Sequence, residues 1–175
     1  MGTFRDPIKS GLNEYYGKLK QTVEGLTPEE LLWQPGPESN HILWTVWHMA
    51  RVSDRWANST VLGNEELWIR DGWTKRLGMP ADKYGRGETP EQVRDFPDVS
   101  VEEVTGYWQA ARDLLIPSVE GVTTDMFGIK RPEAWPYAPD RAPDLLFALG
   151  RIPVENSQHL GQIAYIRGLY AAKFG

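Results

Sequence analysis

Residues 153–167 read P-V-E-N-S-Q-H-L-G-Q-I-A-Y-I-R. On a helix, Glu155 and His159 lie one turn apart on the same face, with Cβ atoms roughly 6 Å from each other. That face also carries Ile152, Gln162 and Ile166, so it is expected to point at a core. A carboxylate and an imidazole buried together need a reason, because burial without a partner is costly. One reason is a plain hydrogen-bonded pair along the helix. The other is a divalent cation, for which Glu oxygen and His nitrogen are both ordinary ligands. Two ligands rarely make a site, and the third is expected from another helix, with His48 as the candidate.

Outward from that stretch, the chain reads as helices. Asp6-Pro7 suits a helix start, with Asp as the cap and Pro in the first turn, and Ile8, Leu12, Tyr15, Tyr16, Leu19 and Val23 continue it over about 6–24. Thr27 to Glu30 is a capping box that opens a short turn, closed by Pro35-Gly36-Pro37. Ser39 or Asn40 is expected to cap a second helix over roughly 40–61, with Leu43, Val46, Trp47, Ala50, Ala57 and Val61 as its stripe. Arg51 and Asp54 are spaced to pair along it.

Glycine and proline punctuate 62–99, where short helices are expected near 65–77 and 89–95, the second opened by the cap signature Thr89-Pro90-Glu91-Gln92. A connection this long is usually functional, and it is expected to cover one end of the fold as a lid or a dimer surface. Ser100 to Glu103 caps a third helix over 101–120. After a turn-rich stretch to residue 141, a fourth helix runs from about Pro143 to Lys173, and Pro153 inside it predicts a kink or break. Four long helical patterns and no convincing strand give an all-α fold, a four-helix bundle with a long irregular insert between helices 2 and 3. Residues 1–175 are expected to form a single domain.

The net charge of −5 argues against a nucleic-acid binder. No apolar run suits a transmembrane helix and the first residues lack a signal-peptide core, so a cytoplasmic protein with no membrane partner is expected. The absence of cysteine excludes disulfides, thiolate ligands and a cysteine nucleophile. Only His41, His48 and His159 can supply imidazole. His41 is expected to face solvent in a first turn, its rival role being a fourth ligand or a substrate contact. The eight tryptophans concentrate between Trp33 and Trp73 and are expected in core and loop packing.

The runs W-T-V-W-H-M-A-R-V-S-D-R-W (44–56) and E-N-S-Q-H-L-G-Q-I-A-Y-I-R-G-L (155–169) resemble the DinB/YfiT-like superfamily, including its bacillithiol-transferase-like and mycothiol-dependent maleylpyruvate isomerase branches. The resemblance implies a four-helix bundle, usually a homodimer, holding one divalent metal by three side chains. Carried over, those fall on His48, Glu155 and His159. Many relatives have His where Glu155 stands, and the long insert and Pro153 also depart from the pattern.

Three protein ligands leave an open coordination position, and two neutral imidazoles with one carboxylate give a divalent ion a net charge of about +1, which favours an anionic ligand. The expectation is a metal-dependent enzyme in which zinc, nickel or iron activates water or a low-molecular-weight thiol, with thiol transfer or isomerisation implied by the resemblance. A small molecule or thiol is the expected partner. The alternative is a non-catalytic, stress-related bundle that binds metal or a small ligand. Gln162 is either an orienter of the ligands or a polar rim residue, and Asp54 is expected to pair with Arg167 between helices 2 and 4.

Overall fold

The computed structural model of the chain describes residues 2–135 and 138–175. Its long helices are α1 (Arg5–Val23), α3 (Ile42–Asp54), α7 (Val101–Glu120) and α8 (Leu145–Phe174), with short helices α2 (Pro28–Leu32), α4 (Leu67–Arg70), α5 (Trp73–Arg76) and α6 (Pro90–Arg94) between them. Among the described residues the β-type pairing is one isolated bridge, Lys130 to Asp144. The fold is the expected helix bundle: α3 packs on α7 and α8, and α1 on α8 and α7. Leu12, Leu19, Trp47, Tyr107, Leu115, Leu149 and Ile152 fill the centre. No helix of the described residues is long and apolar enough to cross a membrane.

The capping boxes at Thr27, Thr89 and Ser100 all form as their sequences predict. Other boundaries differ. Asp6 is not the cap of α1, which begins at Arg5 behind Phe4; the Asp6 carboxylate accepts the Thr3 N–H at 2.5 Å instead. α3 is capped by His41, whose Nδ1 accepts the Trp44 N–H at 3.1 Å, rather than by Ser39 or Asn40. Its α-geometry stops at Asp54, and the chain continues as a π-helix over Arg55–Leu62, closed by Gly63 in the left-handed region. α8 runs unbroken through Pro153, so the expected break is absent. Tertiary packing of Ile152 outweighs the hydrogen bond that the proline removes.

Every residue of α3 is buried. One side faces the bundle. The other is covered by the insert, which runs along it in the opposite direction, bonding almost turn by turn. Asp54 accepts the N–H groups of Leu67 and Trp68, at 2.9 and 2.8 Å. Arg51 Nε donates to the Lys83 carbonyl, His48 Nδ1 lies 3.0 Å from the Tyr84 carbonyl, and Trp44 Nε1 donates to Glu88. His41 Nε2 reaches the Val93 carbonyl at 3.2 Å. The insert is therefore a fifth wall of the bundle.

A buried charged group anchors this wall. Arg51 Nη1 donates to Glu66 at 2.7 Å and to the Tyr107 hydroxyl at 3.0 Å, and lies 3.6 Å from Asp54. Arg55 Nε donates to the other Glu66 oxygen. Asp54, wholly buried, also accepts from Asn58 and from the Tyr107 hydroxyl. The expected Asp54–Arg167 pair is absent: Arg167 donates to the carbonyls of Gln21 and Thr22 at the end of α1. A local partner three residues away and two free N–H groups at the start of α4 satisfy Asp54 more fully than a distant guanidinium would.

Asp54→Ala removes the acceptor of Asn58, of the Tyr107 hydroxyl and of two backbone N–H groups, and is expected to destabilise the fold by about 3 kcal/mol or more. Arg167→Ala, on the surface, is expected to cost less than about 1 kcal/mol. Urea unfolding of both variants checks this; equal costs would contradict the assignment.

Candidate metal centre

α8 presents a row of side chains spaced by four, Phe147, Arg151, Glu155 and His159, which winds slowly around the helix and lines one cavity. α3 presents His48 to the lower end of that line. One ligating atom from each of His48, Glu155 and His159 lies within 4.8 Å of the others, so the group could hold a metal ion. His159 Nε2 is 3.4 Å from Glu155 Oε1, close to the edge of about 3.3 Å expected between ligands of a tetrahedral zinc site. The two imidazole rings meet edge to face, with centroids 4.9 Å apart.

His48 is fixed before any ligand arrives. The Tyr84 carbonyl can only accept, so Nδ1 carries the proton and Nε2 presents a bare lone pair. Burial lowers the His48 pKa to about 4, with the neighbouring His159 adding to the effect. Trp44 lies flat against the ring, with centroids 5.1 Å apart and planes 13° apart. Gly85 closes the other side. Its φ is +84°, and a Cβ there would stand 2.4 Å from His48 Nδ1 and 3.1 Å from Trp47. Only glycine allows both that backbone angle and that approach.

The α8 pair is less enclosed than its sequence suggests. Glu155 and His159 keep 23% and 14% of their side-chain surface, and Gln162 is exposed. The ligand face opens on a cavity instead of the core because the insert stands off α8 there. Gln162 Oε1 lies 2.9 Å from His159 Nδ1. With Nδ1 donating to it, the His159 Nε2 is also a bare lone pair. Gln162 is thus the orienter of the two readings the sequence left open. Arg151 Nη2 donates to Glu155 Oε2. Two lone pairs and a carboxylate converging with no proton between them form the donor set a cation would complete.

The cavity beside the three groups has a volume of about 520 Å³, with Trp44, Trp56, Phe147, Arg86 and Arg151 among its walls. A hollow of about 710 Å³ across the 84–87 loop touches none of the three. His41 joins neither role considered for it: it is 3% exposed, and it serves as a helix cap. Sequence reasoning missed Tyr84, Gly85 and Arg151. Arg151 was open to detection as the four-residue step above Glu155. A backbone carbonyl and a glycine contact across 36 residues leave no periodic signal.

The family model described as DinB superfamily matches residues 12–163. Among solved structures, the chain is similar to the crystal structure of a conserved protein from Enterococcus faecalis, with a TM-score of 0.84 and 18% identity, over 98% of this chain and 99% of that one. At that identity the likeness concerns the fold. No curated protein matches the chain.

Gly85→Ala pushes the loop off His48 and is expected to weaken metal binding by about 10- to 100-fold, read by competition with a chromophoric chelator; unchanged affinity would contradict the role given to the loop. The lowered His48 pKa also sets a pH dependence. Between about 6.5 and about 4 the unfolded chain binds more protons at this position than the folded one, so stability falls as pH is lowered through that window, by up to about 3 kcal/mol. Denaturation in the presence of a chelator should show this slope in the wild type and lose it in His48→Gln; parallel slopes would contradict it.

Proposed function

The chain belongs to the DinB superfamily, and from that premise we propose that it is a divalent-metal-dependent enzyme whose ion is held by His48, Glu155 and His159. One observation carries the reading: three ligating atoms within 4.8 Å of one another at the edge of a cavity large enough for a small molecule. The donor set of two imidazoles and a carboxylate suits zinc, nickel or iron. When bound, such an ion supplies Lewis acidity and activates water or a low-molecular-weight thiol.

The residues divide the work. His48, held by the Tyr84 carbonyl, offers Nε2 without reorganisation. His159 is oriented by Gln162, and Glu155 by Arg151. Trp44 and Trp56 give one side of the cavity an apolar wall. A thiol would come from outside, since the chain has no cysteine, and transfer to or from that thiol, isomerisation and hydrolysis all fit such a centre. The cavity beside the three groups favours an enzyme over a saturated structural ion, which needs no space next to it. A homodimer, a single domain across the chain and a cytoplasmic location belong to the same reading.

His159→Ala removes one of three ligands and is expected to abolish stoichiometric metal. Elemental analysis of untagged protein should find one equivalent in the wild type and close to none in the variant; a full equivalent in the variant would overturn the assignment.

A further inference from the structure

We infer that the cavity beside the three ligating groups takes an aromatic carboxylate, and that Arg151 is the residue that binds its carboxylate. The inference rests on the metal reading above and adds the substrate class.

Charge is the first ground. Arg86, Arg151 and Glu155 are the charged side chains that line the cavity, together with the two histidines. A divalent ion beside Arg151 and Glu155 would leave this end of the cavity positive. The second ground is the state of Arg151. Its hydrogen bonds, to Glu155 and to Gln158, both leave through Nη2. Among the described residues its Nε and Nη1 make none. A guanidinium offers five donors in a planar fork that matches a carboxylate with two parallel bonds. Arg151 can therefore keep Glu155 in place and still present donors to an anion in the cavity.

The walls supply the rest of the recognition. Trp44 and Trp56 are buried side chains that line the space. Phe147, 61% exposed, stands one helical turn beyond Arg151 on the same line of α8. Along a helix, Arg151 is about 6 Å from the level of Glu155 and Phe147 about 12 Å. A carboxylate on Arg151 thus lies beside the ion, with a flat ring between the tryptophans and Phe147. Ring faces favour offset or edge contacts with such a body, and the volume suits a molecule built on one ring.

A merely structural Arg151 would orient Glu155 and do nothing else, and the test separates the two roles. Zinc-loaded wild type, Arg151→Met and Arg151→Lys are titrated with benzoate and with its uncharged counterpart benzamide, followed by tryptophan fluorescence, and zinc content is measured in parallel. The wild type should bind benzoate at least tenfold more tightly than benzamide. With zinc held at saturation so that the variant carries the ion, Arg151→Met should lose that preference while still binding benzamide. Arg151→Lys should recover part of the preference as a point charge. No preference in the wild type, or an intact preference in Arg151→Met, would overturn the inference, and so would loss of zinc from both variants. A wild type that takes up no zinc at all would instead defeat the metal reading, and this inference with it.

Discussion

A guanidinium buried inside a helical bundle is the constraint around which this structure is arranged. Arg51 is 1% exposed, and an isolated charge there would be prohibitive. Its donors go to Glu66 and the Lys83 carbonyl on the insert and to Tyr107 on α7. Each bond that solvates the charge also fixes a piece of chain. Glu66 and Asp54 bring the start of α4 against α3, and Lys83 brings the 83–87 segment beside it. The neighbouring carbonyl, that of Tyr84, then meets His48. Burial of one charge on α3 and orientation of one imidazole a turn earlier are thus consequences of the same packing.

The two halves of the centre differ in kind. His48 comes from a helix buried on all sides and is held by backbone, an aromatic face and a glycine approach. Glu155 and His159 come from a half-exposed face and are held by side chains, Arg151 and Gln162. A rigid imidazole opposite a more adaptable pair suits a centre that must accept a ligand from the cavity side. The line Phe147, Arg151, Glu155, His159 places apolar surface, positive charge and ligating atoms on one face of one helix, which sets the order in which a small molecule would meet them.

Much of this was legible in the chain. Helical period and three capping boxes located the four long helices and the short ones of the insert, because local hydrogen bonding and side-chain spacing decide those features. The spacing of Glu155 and His159, together with His48, picks out three residues that the fold brings together as a group that could hold a metal ion. What escaped detection depended on contacts between distant segments. The apolar stripe of α3 carries the helical period, but the second, polar stripe at His41, Trp44, His48, Arg51 and Asp54 seats the insert, which no local spacing announces. The same cover takes His41 out of solvent and gives Asp54 its partners at the start of α4 in place of Arg167. A helix buried all round needs cover on every side, and a second stripe with His, Arg and Asp among tryptophans is the trace of that cover. The π-helical stretch after Asp54 has no comparable signature in the residues.

The most direct test of the central claim is a crystal structure of the protein grown with a divalent transition metal, with anomalous scattering used to find the ion. The account requires a single strong peak bridging His48 Nε2, His159 Nε2 and a Glu155 oxygen at about 2 Å from each, with the cavity side left to an exchangeable ligand. An ion bound elsewhere, or no ion beside these three groups at saturating metal, would contradict it.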